Sequence, residues 1–170
     1  MEKIQIETER EPKKEKPEFL YHGSPHKGLE ELEPRAHRRR DPEEGNRVFA
    51  TQDFALATVF MTKDYRSSGR FGDVSYVCIV KPIEEFVKSD KGGHIYVLPS
   101  DTFMSDPTKG LGMYEWTSKE KVKPVDKIEF SSTLDAMIEN AVQVYFVDEE
   151  TNRRIKEADA HGLSIFESMQ

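Results

Sequence analysis

With 170 residues, of which 36% are hydrophobic and 34% charged, the chain is long enough for one hydrophobic core and short for two. A formal net charge of -7 excludes a protein whose main business is holding nucleic acid electrostatically, with the cluster His37-Arg38-Arg39-Arg40 as the local exception. The single cysteine, Cys78, sits in the apolar run VSYVCIV, so it forms no internal disulfide and reads as a small buried hydrophobe in a reducing compartment.

No stretch approaches the ~18 apolar residues that span a bilayer, and MEKIQIETEREPKKEKPE has neither the apolar region nor the cleavage site of a signal peptide. A cytoplasmic protein without a membrane partner is expected. Within residues 1–17, five acids and five bases cancel and only Met1, Ile4 and Ile6 are apolar enough to bury. Such a segment does not offset its ordering entropy, which predicts a flexible charged arm at 1–17 and a single domain over 18–170.

From Phe19 the pattern changes. FLYH reads as a short strand ending in His22-Gly23-Ser24, and GLEELEPR as a helical turn with Leu29 and Leu32 three apart before Pro34 stops it. RAHRRRDPEEGN is polar and carries Pro42 and Gly45-Asn46, the marks of a loop. RVFA is a second strand, and Thr51 is the expected N-cap of a compact helix FALATVFM. That succession places Phe49 to Thr51 at a strand terminus, where ligands are often held. KDYRSSGRFGD is expected to be a loop covering the site, and VSYVCIV is the best strand in the chain.

In the second half HIYVLP reads as a strand and SDTFMSDPTKGLG as a loop, while MYEWTS and KVKPVDKIEF look like further strand material. SSTLDAMIENAV opens with a serine cap and places Leu134, Met137 and Ile138 at helical spacing. VQVYFVD fits strand or helix, and EETNRRIKEADA looks helical. The sum is a strand-rich α+β domain with few short helices, without the β-α alternation of a doubly wound sheet.

There is no GxGxxG after a strand, no phosphate loop and no GxSxG elbow, and a lone cysteine rules out a thiolate zinc site. The histidines 22, 26, 37, 94 and 161 lack HExxH spacing, and Pro25 breaks any helix that would pair His22 with His26, so no metal is expected. Ser24 stands two residues from His22, where an extended strand leaves little freedom to bond the two as nucleophile and base. The cluster RAHRRR more often makes a solvated loop than a binding site, although three of its four arginines could clamp a phosphate.

What remains is spread over YHGS, VFATQDFALATVF and YEWTS. The order HG[ST], then a strand running into a small-residue helix, then a late glutamate before a final strand, resembles the His-Tyr-Glu branch of the ADP-ribosyltransferase superfamily. That branch holds the poly-ADP-ribose polymerase catalytic domains, and the chain also resembles the small bacterial rifampin ADP-ribosyltransferases. The likeness runs from about Phe19 to Phe130 and is strongest at YHGSP and VFAT.

The resemblance implies a split, strand-rich α+β fold and a mono-ADP-ribosyltransferase that uses NAD as substrate. It implies that His22 bonds the adenosine-side ribose, that the Gly23 backbone holds the nicotinamide amide, and that Phe60 stacks on the nicotinamide ring. Ser24, Phe49 and Thr51 would complete the NAD pocket, with Glu115 as the acid that bonds the nicotinamide ribose. Phe49 stands where the family usually has tyrosine, and Ala57 where it often has a nicotinamide-binding serine. The chemistry is coherent with these residues. Cleaving a nicotinamide–ribose bond passes through an oxocarbenium-like transition state, which a placed carboxylate stabilises while an aromatic ring grips the leaving group.

The acceptor is not written in the sequence: protein, nucleic acid and small molecule all remain open. Other readings are a catalytically silent NAD- or ADP-ribose-binding module on the same fold, an enzyme moving an RNA 2'-phosphate to NAD with RAHRRR supplying the basic groups, and a structural protein with no small-molecule site.

Overall fold

The computed structural model describes residues 16–36, 45–105 and 114–160. With 37% strand and 25% helix, arranged among the described residues as three small sheets and four short helices, the fold is α+β. In chain order the elements are β1 (Phe19–Ser24), β2 (Val48–Ala50), α1 (Phe54–Val59), β3 (Tyr65–Phe71), β4 (Val74–Ile79), α2 (Ile83–Ser89), β5 (Gly93–Pro99), β6 (Trp116–Ser118), β7 (Asp126–Phe130), α3 (Thr133–Glu139), β8 (Gln143–Phe146) and α4 (Glu149–Ala160).

The two most apolar runs become the two middle strands. β5 lies between β1 and β7, antiparallel to both, and β4 lies between antiparallel β3 and parallel β8. A middle strand has a partner on each edge and is buried along most of its length, which Gly93–Tyr96 and Ser75–Ile79 satisfy. The third sheet is the pair β2–β6, joined to the first where Tyr21 and Thr51 exchange backbone hydrogen bonds of 2.8 and 2.9 Å.

Helix α1 and the turn after it form a wedge between the sheets. Ala57 and Met61 pack with Ile95 and Tyr21 on one side, and Val59 and Phe60 pack with Val77 and Ile79 on the other. Close approach to β1 requires Gly23, because a Cβ there would lie 1.8 Å from the Ala57 carbonyl oxygen. Asp90, at the end of α2, locks α3 in place. Its carboxylate accepts from the backbone N–H groups of Gly92, Thr133 and Leu134 and from the Ser132 hydroxyl at 2.9–3.0 Å. Burial pushes this carboxyl up, but those four hydrogen bonds outweigh it and hold its pKa below the usual value.

Several expectations need correction. Most of KDYRSSGRFGD is not a loop but strand β3, which turns into β4 through Gly72 and Asp73, with Gly72 at φ 63°. Two of its polar residues are met from α4: the buried Ser67 hydroxyl donates to Asn152 Oδ1 at 2.6 Å, and Arg66 holds the Glu149 carboxylate at 2.6 and 2.8 Å. GLEELEPR forms no helical turn; Leu32 instead exchanges backbone hydrogen bonds with Val122 and buries its side chain. The N-cap of α1 is Asp53, whose Oδ1 accepts from Leu56 N at 3.3 Å, and not Thr51, whose hydroxyl accepts from Asp53 N at 3.0 Å. The ambiguous VQVYFVD holds strand β8.

The segment EETNRRIKEADA is helix α4, and SSTLDAMIENAV is α3 with Ser132 capping Asp135 N. Of the charged arm, residues 1–15 lie outside the described residues, as do 37–44, 106–113 and 161–170. The arm's last two residues are tied to the turn after β5, through Lys16 Nζ to the Asp101 carbonyl at 3.2 Å and the Ser100 hydroxyl to the Pro17 carbonyl. Among the described residues, no helix is long and apolar enough to cross a membrane.

Candidate functional site

His22 stands opposite Tyr96 in the β1–β5 ladder, with the two rings 6.3 Å apart. Its Nδ1 is 2.5 Å from the Phe49 carbonyl oxygen, 27 residues away in sequence. A carbonyl only accepts, so Nδ1 carries the hydrogen, and the neutral ring keeps a lone pair on Nε2. Burial pushes the His22 pKa down and the Phe49 carbonyl pulls it back in part, leaving it below the ordinary histidine value. The lowered pKa favours the neutral imidazole, and in this tautomer Nε2 is its acceptor nitrogen.

The chain after His22 is held from β5. Ser24, buried, accepts from His26 N at 3.1 Å through its hydroxyl. His94 Nδ1 accepts from Gly28 N at 3.1 Å, while the fully buried Tyr96 accepts from Leu29 N at 3.0 Å and donates to the His26 carbonyl at 2.6 Å. Two inward side chains of one strand thus fix the turn that follows HGS. The alternation of His94 and Tyr96 in GHIYVLP was the readable signal for this support.

β2 brings in the second motif. Phe49 pairs with Thr117 and Ala50 with Trp116, so by the same register Glu115 falls at the level of Thr51. Trp116 Nε1 donates to Gln52 Oε1, tying the start of β6 to the turn before α1. Thr51 is buried, and Phe49 and Glu115 are half-buried. His22 and Phe49 thus stand on β1 and β2, with Thr51 just past the end of β2 and Glu115 just before the start of β6. Gly23 and Ser24 end β1 under α1. Phe60 is placed differently: it closes α1 with its ring edge-on to Tyr65 at 5.6 Å, within the cluster that joins α1 to the second sheet. Ala57, fully buried over Gly23, is a packing position.

One cluster beside these residues was not singled out in the sequence. Arg70, on β3, pairs with Asp53 Oδ2 at 2.8 Å and donates to the Asp73 carbonyl at 3.3 Å, and its guanidinium carbon lies 4.5 Å from the centre of the Tyr114 ring. Ser75 reaches the same Asp53 oxygen at 3.4 Å. The aspartate two residues after Thr51 was a legible cap signal, but its pairing with Arg70 depends on a strand that the sequence presents as a loop.

Comparison with known proteins finds no match of this chain to a family model, to a curated protein or to a solved structure.

Proposed function

We propose that the chain is an NAD-dependent mono-ADP-ribosyltransferase on a split-sheet fold of the His-Tyr-Glu type, and so a glycosyltransferase in reaction class. The observation that carries this reading is the hydrogen bond from His22 to the Phe49 carbonyl, which joins YHGS to VFAT across β1 and β2, with Glu115 at the mouth of the neighbouring β6. In the reaction, the bond between ribose C1' and the nicotinamide nitrogen breaks and its electron pair leaves with nicotinamide. The acceptor's nucleophilic atom then bonds C1' and loses its proton. His22 Nε2 accepts from a ribose hydroxyl, the Gly23 backbone approaches the amide, Ser24 and Thr51 line the strand ends, and the Phe49 ring offers a stacking face. Glu115 bonds the nicotinamide ribose and opposes the developing positive charge.

The test is nicotinamide release from NAD by the purified protein, alongside NAD binding by calorimetry. Glu115→Gln is expected to lower release about 100-fold or more while binding persists, the scale on which one lost electrostatic contact slows such reactions. No melting shift with millimolar NAD or ADP-ribose would refute the pocket itself.

A second reading has its own support. Phe49 lacks a tyrosine hydroxyl, and Ala57 faces β1 with no hydroxyl to offer, which suits a module that binds NAD or ADP-ribose without transfer. Binding without nicotinamide release favours it. The RNA 2'-phosphate reading depends on RAHRRR, of which residues 37–40 lie outside the described residues.

A further inference from the structure

We propose that Arg70 is a positioning residue for Glu115, an inference that rests on the transferase reading for its catalytic half. Two contacts bracket the glutamate in sequence. On one side Tyr114 presents its ring to the Arg70 guanidinium at 4.5 Å, and on the other Trp116 donates to Gln52. Both anchors lead back to the start of α1. Arg70 is bound there through Asp53 at 2.8 Å, and the other oxygen of Asp53 caps the helix. The short segment that carries Glu115 is thereby referenced to the same helix end that follows Phe49 and Thr51.

Stability alone does not account for this arrangement. The Arg70 side chain is only 23% exposed, and its Nε is buried with no hydrogen-bond partner among the described residues. A partly buried cation with an unsatisfied donor is a poor stabiliser compared with an apolar side chain of similar size. What the guanidinium supplies, and an apolar chain does not, is a flat charged surface that fixes an aromatic ring in one place while bonding Asp53 at its edge. Holding a carboxylate to within a fraction of an ångström matters far more to a transition state than to a folded ground state.

The protein reports on this segment directly, because Trp116 is its only tryptophan. In Arg70→Ala the Trp116 emission is expected to shift to the red and its quenching by acrylamide to rise, with the far-UV circular dichroism retained. Tyr114→Leu, which leaves the Asp53–Arg70 pair and the α1 cap in place, is expected to do the same and guards against a variant that fails to fold. In nicotinamide release both variants are expected to lower kcat about 10-fold to 100-fold with KM for NAD unchanged. Unchanged Trp116 quenching in Tyr114→Leu overturns the tether. Altered quenching with unchanged kcat overturns the positioning role. A wild-type protein that releases no nicotinamide refutes the transferase reading and with it the catalytic half of this inference, while the quenching data still decide the tether.

Discussion

The two three-stranded sheets receive their helices by opposite means. α1 meets β1 through an absence, the missing side chain of Gly23 beneath the Ala57 carbonyl, so backbone touches backbone. α4 meets the second sheet through large and polar side chains: Ile155 packs on Tyr76 and Cys78, with the Ser67–Asn152 and Arg66–Glu149 pairs beside it. A joint of backbone on backbone has no rotamers with which to adapt, whereas side chains can repack. The candidate site lies at the rigid joint. That fits a site whose chemistry requires strand ends to stay in register.

The strongest way to break this contrast is Gly23→Ala. The added methyl overlaps the Ala57 carbonyl, so a loss of about 3 kcal/mol or more is expected, read as urea or thermal unfolding. Gly72→Ala is the control. It meets no atom within 4 Å and suffers only the strain of φ +63°, about 1 kcal/mol. A small effect of Gly23→Ala would show that α1 can slide, and the joint would not be rigid.

Next in size is Ile155→Ala, which empties a fully buried position and should remove about 3 kcal/mol. If side chains make this joint adaptable, hydrogen exchange should speed up in α4 and leave β1 and α1 protected. Loss of protection in both regions would erase the distinction.

The smallest expected effect is at Asp90, where loss of the carboxylate that caps α3 in Asp90→Ala should destabilise by about 1 kcal/mol. The sign of its pH dependence follows from its lowered pKa. The unfolded state binds the proton first on acidification, so the stabilisation is complete above the ordinary aspartate value and disappears as pH falls through the lower folded one. His22 adds a second acid-side slope. Its folded pKa is also lowered, so stability declines as pH drops below the ordinary histidine value toward the folded one. Unfolding measured against pH should show both slopes, and Asp90→Ala should flatten only the more acidic one.

The sequence by itself determined the strands and helices whose reasons are local. VSYVCIV and HIYVLP were legible as buried strands because a middle strand needs an unbroken apolar run, and SSTLDAMIENAV because a serine cap and helical spacing coincide. It also marked His22, Phe49 and Glu115 as worth attention, through the company each residue keeps along the chain.

Only the tertiary structure decided the rest. YRSSGRF is a strand because β4 pairs its backbone and α4 takes up Arg66 and Ser67, and neither partner is visible within the segment. β8 is a strand because it finds the free edge of β4 from 67 residues away. Gly23 reads as a strand exit until α1 is laid across it. Local propensity records what a residue prefers in isolation; burial, strand pairing and the tether from Arg70 to Tyr114 are properties of neighbours that folding alone supplies.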